Sequence, residues 1–265
     1  VWQPRFTYHG FRYIEMTGYP GVPTLDNVEG VVVHSSVART GEFACSNKLI
    51  NRIQQNVTWT VRDNFHSVPG SCCNRGERAG WGGDAQVMLD TTYYNFGMAN
   101  LYDKFMEDYA EDQNPKGGVH DSIPWTGWGG YSAPGWHDCY TLIAWTMYQH
   151  YGDSDIIRKH YTRLKLALNY ILDSNPELIW ENGIDGNYGD WGSPVSDDEH
   201  NALLATCNFY QDAVLMSRMA GIIGENADAK SYAALAEKIV KALNDRFFNA
   251  KTNQYAGGAQ AANAF

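Results

Sequence analysis

Six long segments with apolar residues at helical spacing follow one another between residues 46 and 248, and this succession constrains the fold more than any other feature. Ser46 stands where an N-cap is expected, ahead of Leu49, Ile50, Ile53 and Val57. A second helix is predicted from near Asp84 through Leu89, Tyr93, Phe96, Leu101 and Phe105. A third covers Thr141 to Tyr151 and stops at Gly152, after which Asp153 or Ser154 caps a fourth carrying Ile156, Ile157, Tyr161, Leu164, Leu168 and Ile171. A fifth runs from about Ala202 to Ile223 and ends at Gly224. A sixth runs from about Asp228 to Phe248, with Tyr232, Leu235, Ile239, Val240 and Leu243 on one face. No strand-helix-strand alternation separates them, which excludes a parallel α/β sheet and points to an α/α toroid or a helical bundle. The connections 67–84, 113–138 and 180–200 are longer than helix linkers usually are, and long loops in compact domains usually carry function.

The residues before this series read differently. Phe11 to Met16 alternates large and polar side chains, and Val31-Val32-Val33 is a β-branched run, so Val1 to about Val37 is predicted to form strands. Two or three strands are not stable alone. They are expected to be the end of a sheet domain over 1–40, followed by a helical domain over 41–265.

Composition narrows the function. Aromatics make up 14% of the 265 residues, with 9 Trp and 17 Tyr, and many stand beside Gly or Asp rather than within apolar runs. Flat rings next to carboxylates suit sugars, which offer C–H faces for stacking and hydroxyls for hydrogen bonding; core filling is the alternative use of such residues. The formal net charge is −10 and no Lys/Arg stripe occurs, which argues against a nucleic-acid partner. No run approaches the roughly 18 apolar residues of a membrane span. The residues contain no signal peptide, and their abrupt start leaves room for one upstream. Cys45, Cys72, Cys73, Cys139 and Cys207 are odd in number and widely spaced, and they read as free thiols. The eight histidines show no His-x-x-x-His spacing, so neither a metal nor a cofactor is expected. Asp197-Asp198-Glu199 reads as an acidic turn entering a helix N-terminus, or as the edge of a pocket.

The chemistry concentrates in Ser71 to Gln86, where Glu77 and Asp84, Arg75 and Arg78, and Trp81 crowd a glycine-rich loop ahead of a helix. Glycines let the backbone turn tightly, so that side chains can converge. Glu77 can act chemically or pair with Arg75 or Arg78 on the surface; Asp84 can contact a ligand or cap the helix.

This segment resembles the signature of family 78 glycoside hydrolases, the α-L-rhamnosidases. The matching residues are Cys72, Arg75, Glu77, Arg78, Gly80, Trp81, Gly83, Asp84, Ala85 and Gln86. Phe6 to Tyr13 resembles the family's last sheet-domain strands, Phe43 to Asn47 the start of the first barrel helix, and Gly135 to Asp138 its Gly-Trp-Gly-Asp loop. Gly189-Asp190-Trp191 resembles its Gly-Asp-Trp loop, and Gln260 to Ala264 a segment past mid-barrel. The resemblance implies an (α/α)6 barrel preceded by β-sandwich domains, and inverting removal of terminal α-L-rhamnose from oligosaccharides or glycosides. It makes Glu77 the general acid and places Trp81, Asp84, Arg78, Trp136 and Trp191 at the sugar. Asp138 and Asp190 would bind hydroxyls or support the loops. An inverting enzyme needs a protonated acid at the leaving oxygen and a carboxylate roughly 6.5–9.5 Å away to activate water. The acid's pKa must be raised by burial or by a nearby carboxylate such as Asp84, so at least one of Arg75 and Arg78 is expected to face elsewhere.

The chain departs from the pattern at three positions. Ser71 stands where the signature begins with a sugar-contacting Asp, Cys73 where Pro is usual, and Gly76 where a polar residue precedes the Glu. Loss of a charged hydrogen bond at position 71 costs about 1.5–3 kcal/mol. It opens two alternatives: a catalytically degenerate sugar-binding relative, or a glycosidase of the same fold acting on another sugar. The family's general base, a Glu late in the barrel, falls beyond the stretch matching Gln260–Ala264, and six helices are half of a closed barrel. The remainder of a longer polypeptide is therefore an expected partner. Export is expected from the family's habit, and the number of copies is left open.

Overall fold

The computed structural model describes residues 2–70, 72–73, 76–181, 186, 188–193 and 197–264. Within them lie α1 (Lys48–Asn64), α2 (Gly82–Asn95), α3 (Ala99–Asp112), α4 (Cys139–Tyr151), α5 (Asp155–Ser174), α6 (Asp198–Ile223) and α7 (Asn226–Phe247). Two hairpins of two-residue strands and three short 3₁₀ turns make up the other regular elements of the described residues. Phe65–His66 (β1) pairs antiparallel with Val68–Pro69 (β2), and Phe248–Asn249 (β3) with Gln254–Tyr255 (β4).

Local signals account for most helix ends. The αL residues Gly152 (φ +69°) and Gly224 (φ +90°) terminate α4 and α6, as expected. Asp197 caps α6 by accepting from the His200 N–H at 2.7 Å, and Asp198 and Glu199 fill the first turn, where negative charge is favourable. That helix therefore starts four residues before the predicted Ala202. Of the two caps proposed for α5, the Asp153 carboxylate takes the Asp155 N–H at 2.8 Å, whereas the Ser154 side chain makes no capping bond. At α1 the cap is Asn47 and not Ser46, because the Asn47 amide oxygen reaches both the Leu49 and Ile50 N–H groups.

The predicted second helix is two helices. α2 ends at Asn95, Phe96 is extended (φ −138°, ψ 153°), and α3 starts at Ala99. Apolar periodicity runs across the break because Phe96 is buried whether or not it is helical. The break is stabilised from a distance. Gly97 N–H donates to Ala38 C=O, and the Thr40 and Gly41 N–H groups donate to Asn95 C=O. A Cβ on Gly41 would stand 1.7 Å from Tyr94 C=O, so only glycine allows this approach.

α4 is the central element, packed against α2, α3, α5 and α6. It is buried nearly all round, through Cys139, Tyr140, Thr141, Ile143, Ala144, Thr146 and Met147. α6 and α7 form the most extensive helix pair. By contrast, Leu49, Ile50 and Ile53 on α1 stay exposed.

The strands predicted over 1–37 are absent from the described residues. Val31 and Val32 are 65% and 60% exposed, and the segment meets the rest of the chain only locally, as where Ser35 N–H donates to Phe65 C=O of β1 at 2.8 Å. A strand exists through its pairing, and no described segment pairs with these residues. No described helix is long and apolar enough to cross a membrane.

Candidate active site

The glycine-rich loop is strapped to a distant segment before it enters α2. Ile123 N–H donates to Gly80 C=O at 2.8 Å and Gly82 N–H to Asp121 C=O at 2.9 Å, which fixes Trp81 between them at the helix N-cap. From there the Trp81 indole N–H reaches back to Glu77 Oε2 at 3.3 Å. Asp84 lies in the first turn of α2; it is not the cap, since no side chain caps this helix.

Two later loops bring their aromatics to the same place. The Tyr188 ring lies edge-on to Trp81 at 6.4 Å, tilted against Trp136 at 4.4 Å and edge-on to Trp191 at 6.0 Å. Trp136 and Trp191 are 6.5 Å apart. Trp136 lies flat on the start of α2, where a Cβ on Gly83 would stand 2.5 Å from its ring. The Gln86 amide donates to Gly135 C=O and ties the same loop to α2. Trp191 is 77% exposed and forms the outer edge of the group. The structure thus brings together Glu77, Trp81, Trp136 and Trp191, from loops far apart in the chain.

The remaining sequence candidates have other partners. Arg78, at φ +43°, donates to Tyr8 C=O at 2.6 Å. It borders a cavity of about 700 Å³ shared with Phe6, Tyr8, His66, Val68 and Cys73, which Glu77 and the tryptophans do not line. The Arg78 guanidinium is thus engaged by the backbone of residue 8. Asp190 pairs with the buried His200 ring at 3.2 Å, and its N–H donates to Asn201 Oδ1 at 3.3 Å, which anchors the Trp191 loop to α6. Asp138 is 1% exposed and its Oδ2 accepts the Gly135 N–H at 2.5 Å, so it supports the Trp136 loop from behind. Ser71 and Arg75 lie outside the described residues.

Asp138 has a partner that sequence reading missed. Asp212 of α6, also 1% exposed, hydrogen-bonds to it. Two carboxyl groups can share a hydrogen bond only if one holds a proton. Burial pushes Asp138 up to about 6, and burial together with the Asp138 charge pushes Asp212 well above the ordinary carboxylate range. The signal in the sequence is an acid on the apolar stripe of α6, beside Phe209, Ala213 and Met216. Two further residues were missed. Tyr188, the hub of the aromatic group, stands beside the recognised Gly189-Asp190-Trp191. Asp121, buried, accepts from Tyr188 O–H at 2.8 Å, Ala133 N–H at 2.8 Å and Gly130 N–H at 3.0 Å. Nothing local to Asp121 marks it. His137 is held between Ser132 Oγ and Ala167 C=O, and burial lowers it to about 4, so it is a neutral spacer. All five cysteines are free thiols.

Chemically, this is one carboxyl group oriented by an indole N–H at the edge of four aromatic rings, on a scaffold of helices packed around α4. Such a group is suited to a flat, hydroxylated ligand and to proton transfer at one of its oxygens. Comparison with known proteins agrees. The bacterial alpha-L-rhamnosidase 6 hairpin glycosidase domain matches residues 38–265, and the bacterial alpha-L-rhamnosidase concanavalin-like domain matches residues 1–34. An α-L-rhamnosidase structure from Dictyoglumus thermophilum superposes with a TM-score of 0.89 at 40% identity, covering 98% of this chain and 29% of that one. The α-L-rhamnosidase of Streptomyces avermitilis complexed with L-rhamnose superposes at 0.90 with 34% identity, covering 98% and 25%. A Formosa agariphila protein named alpha-L-rhamnosidase is 31% identical over 255 residues, 93% of this chain and 27% of its own length. The fold is the helical (α/α)6 architecture of the six-hairpin glycosidases. Within that class, the chain belongs to the bacterial α-L-rhamnosidase family, and it spans about a quarter of the length of the relatives it matches.

Proposed function

We propose that this chain carries the acid half of an inverting α-L-rhamnosidase site, with Glu77 as general acid. The observation that supports this most is the Glu77–Trp81 hydrogen bond beside the Trp136–Tyr188–Trp191 group. The indole N–H orients the carboxyl group towards the bond to be broken. The aromatic walls stack on the sugar and exclude water from its apolar face, including the methyl group of a 6-deoxy sugar. Asp84, at the positive end of α2, receives a hydroxyl. Asp138 and Asp190 position the loops and do not touch the sugar. The general base is a glutamate of the remaining polypeptide, on the opposite face of the ring at roughly 6.5–9.5 Å. Residues 1–40 belong to the preceding sheet domain and 41–265 to the barrel. Ser71, in place of the signature Asp, favours a second reading: the same chemistry on a different or decorated sugar.

The test uses the full-length protein, wild type beside Glu77→Gln. General-acid catalysis contributes about 10²–10⁴. The variant is expected to lose that factor on a rhamnoside with a poor alcohol leaving group and much less on p-nitrophenyl α-L-rhamnoside, whose leaving group needs little protonation. Nuclear magnetic resonance of the first-formed product should show the anomer inverted. Equal losses on both substrates would rule out Glu77 as the acid. Activity confined to another glycoside in a panel would move the assignment to the second reading.

A further inference from the structure

On the outer side of α3 and α5, away from the aromatic group, a second cluster has no part in the proposed chemistry. Asp103 and Glu107 stand one turn apart on α3, and His160 faces them from α5; one ligand atom of each lies within 4.8 Å of the others. His160 is 2% exposed, and its Nε2 points towards Glu107 Oε1 at 3.8 Å, beyond hydrogen-bonding distance. That nitrogen is buried and has no hydrogen-bond partner among the described residues. Its other nitrogen is held by the Tyr140 hydroxyl at 2.9 Å. A metal-bound histidine shows the same arrangement, one nitrogen fixed by an outer partner and the other presented to the ion.

A cation is already stabilised at this point. The Lys159 ammonium bridges Asp103 Oδ1 at 2.9 Å and Glu107 Oε1 at 2.5 Å. It satisfies the two carboxylates and leaves His160 Nε2 unsatisfied. A divalent ion satisfies all three, since two carboxylate oxygens and an imidazole lone pair are all electron donors. The lysine can be displaced, because the side chains of Lys159, Asp103 and Glu107 are 45%, 47% and 44% exposed and exposed ion pairs are weak. One imidazole with two carboxylates suits zinc-like transition ions, with water completing the shell, rather than calcium or magnesium.

We propose that Asp103, Glu107 and His160 form a structural site for a zinc-class divalent ion that ties α3 to α5. Sequence spacing does not reveal it, because the ligands come from two helices.

The test is zinc titration of chelator-treated, full-length protein, read as bound equivalents by competition with a chromophoric chelator. Wild type is expected to bind one more equivalent than Asp103→Asn/Glu107→Gln, whose exposed substitutions leave folding intact. Lys159→Met, which removes the competing ammonium, is expected to tighten that equivalent by about tenfold. Equal stoichiometry and affinity in wild type and the double variant would overturn the site, as would loss of the equivalent in Lys159→Met.

Discussion

Replacing Asp212 by Asn tests the buried acid pair behind the Trp136 loop. In the folded protein the Asp212 carboxyl keeps its proton, which it donates to Asp138, while Thr141 also hydrogen-bonds to Asp212. An asparagine can reproduce both contacts, its NH₂ donating to Asp138 and its oxygen facing Thr141, without holding a titratable proton. Both folded pKa values are raised, so the pair's contribution to stability is complete below the unfolded value of 3.8 and is lost as pH rises through the folded values. For Asp138 alone, displacement from 3.8 to about 6 corresponds to about 3 kcal/mol of lost stability at neutral pH, at about 1.4 kcal/mol per pH unit. For Asp212 the loss continues to higher pH. The Asp212→Asn substitution removes the second loss and keeps a neutral donor on Asp138, whose own rise comes chiefly from burial and persists. The variant should therefore gain on wild type steadily between about pH 5 and pH 8. Relaxation around the pair reduces the full linkage figure, so the expected gain by pH 8 is about 2–4 kcal/mol. For a domain of this size each kcal/mol is worth about 2–4 °C. The assay is thermal or urea unfolding of wild type and variant at several pH values at constant ionic strength. A difference that stays flat with pH would refute the shared buried proton.

Other outcomes follow from single contacts. Gly83→Ala puts a Cβ 2.5 Å from the Trp136 ring, so the ring must shift; rhamnoside KM is expected to rise about tenfold, with unfolding temperature changed by only a few degrees. Gly41→Ala meets Tyr94 C=O at 1.7 Å and opens the α2–α3 break, and about 1–3 kcal/mol of stability is expected to be lost in urea unfolding, with little change in KM. Asp121→Ala removes the acceptor shared by the Tyr188 hydroxyl and the Ala133 and Gly130 N–H groups; the buried Ala133 N–H loses its bond at a cost of about 1–3 kcal/mol, and both stability and kcat/KM are expected to fall. Asp190→Asn weakens the pairing with His200 that anchors residues 188–193, and faster proteolytic cleavage within 188–193 is the expected readout.

What the sequence determined by itself is what short-range chemistry decides. Helices stop at Gly152 and Gly224 because a left-handed residue without a Cβ ends a helix wherever the rest of the chain goes. The acidic turn at Asp197 to Glu199 was readable for the same reason, since Asp197 accepts an N–H three residues away and Asp198 and Glu199 lie in the first helical turn. The candidate loop was legible because its glycines, carboxylates and indole lie within sixteen consecutive residues, Ser71 to Gln86. Tertiary structure decided whatever depends on a distant partner. Phe96 leaves the helix because residues 38–41 take its neighbours' hydrogen bonds. Val31 to Val33 form no described strand because pairing, not propensity, makes one. For Asp138 the sequence leaves hydroxyl binding and loop support open, and its burial against Asp212 of α6 is visible only in the tertiary structure. Tyr188 and Asp121 acquire their roles only when three loops meet over the start of α2. A carboxylate's chemistry is set by what surrounds it in space, and those neighbours come from parts of the chain that no local pattern connects.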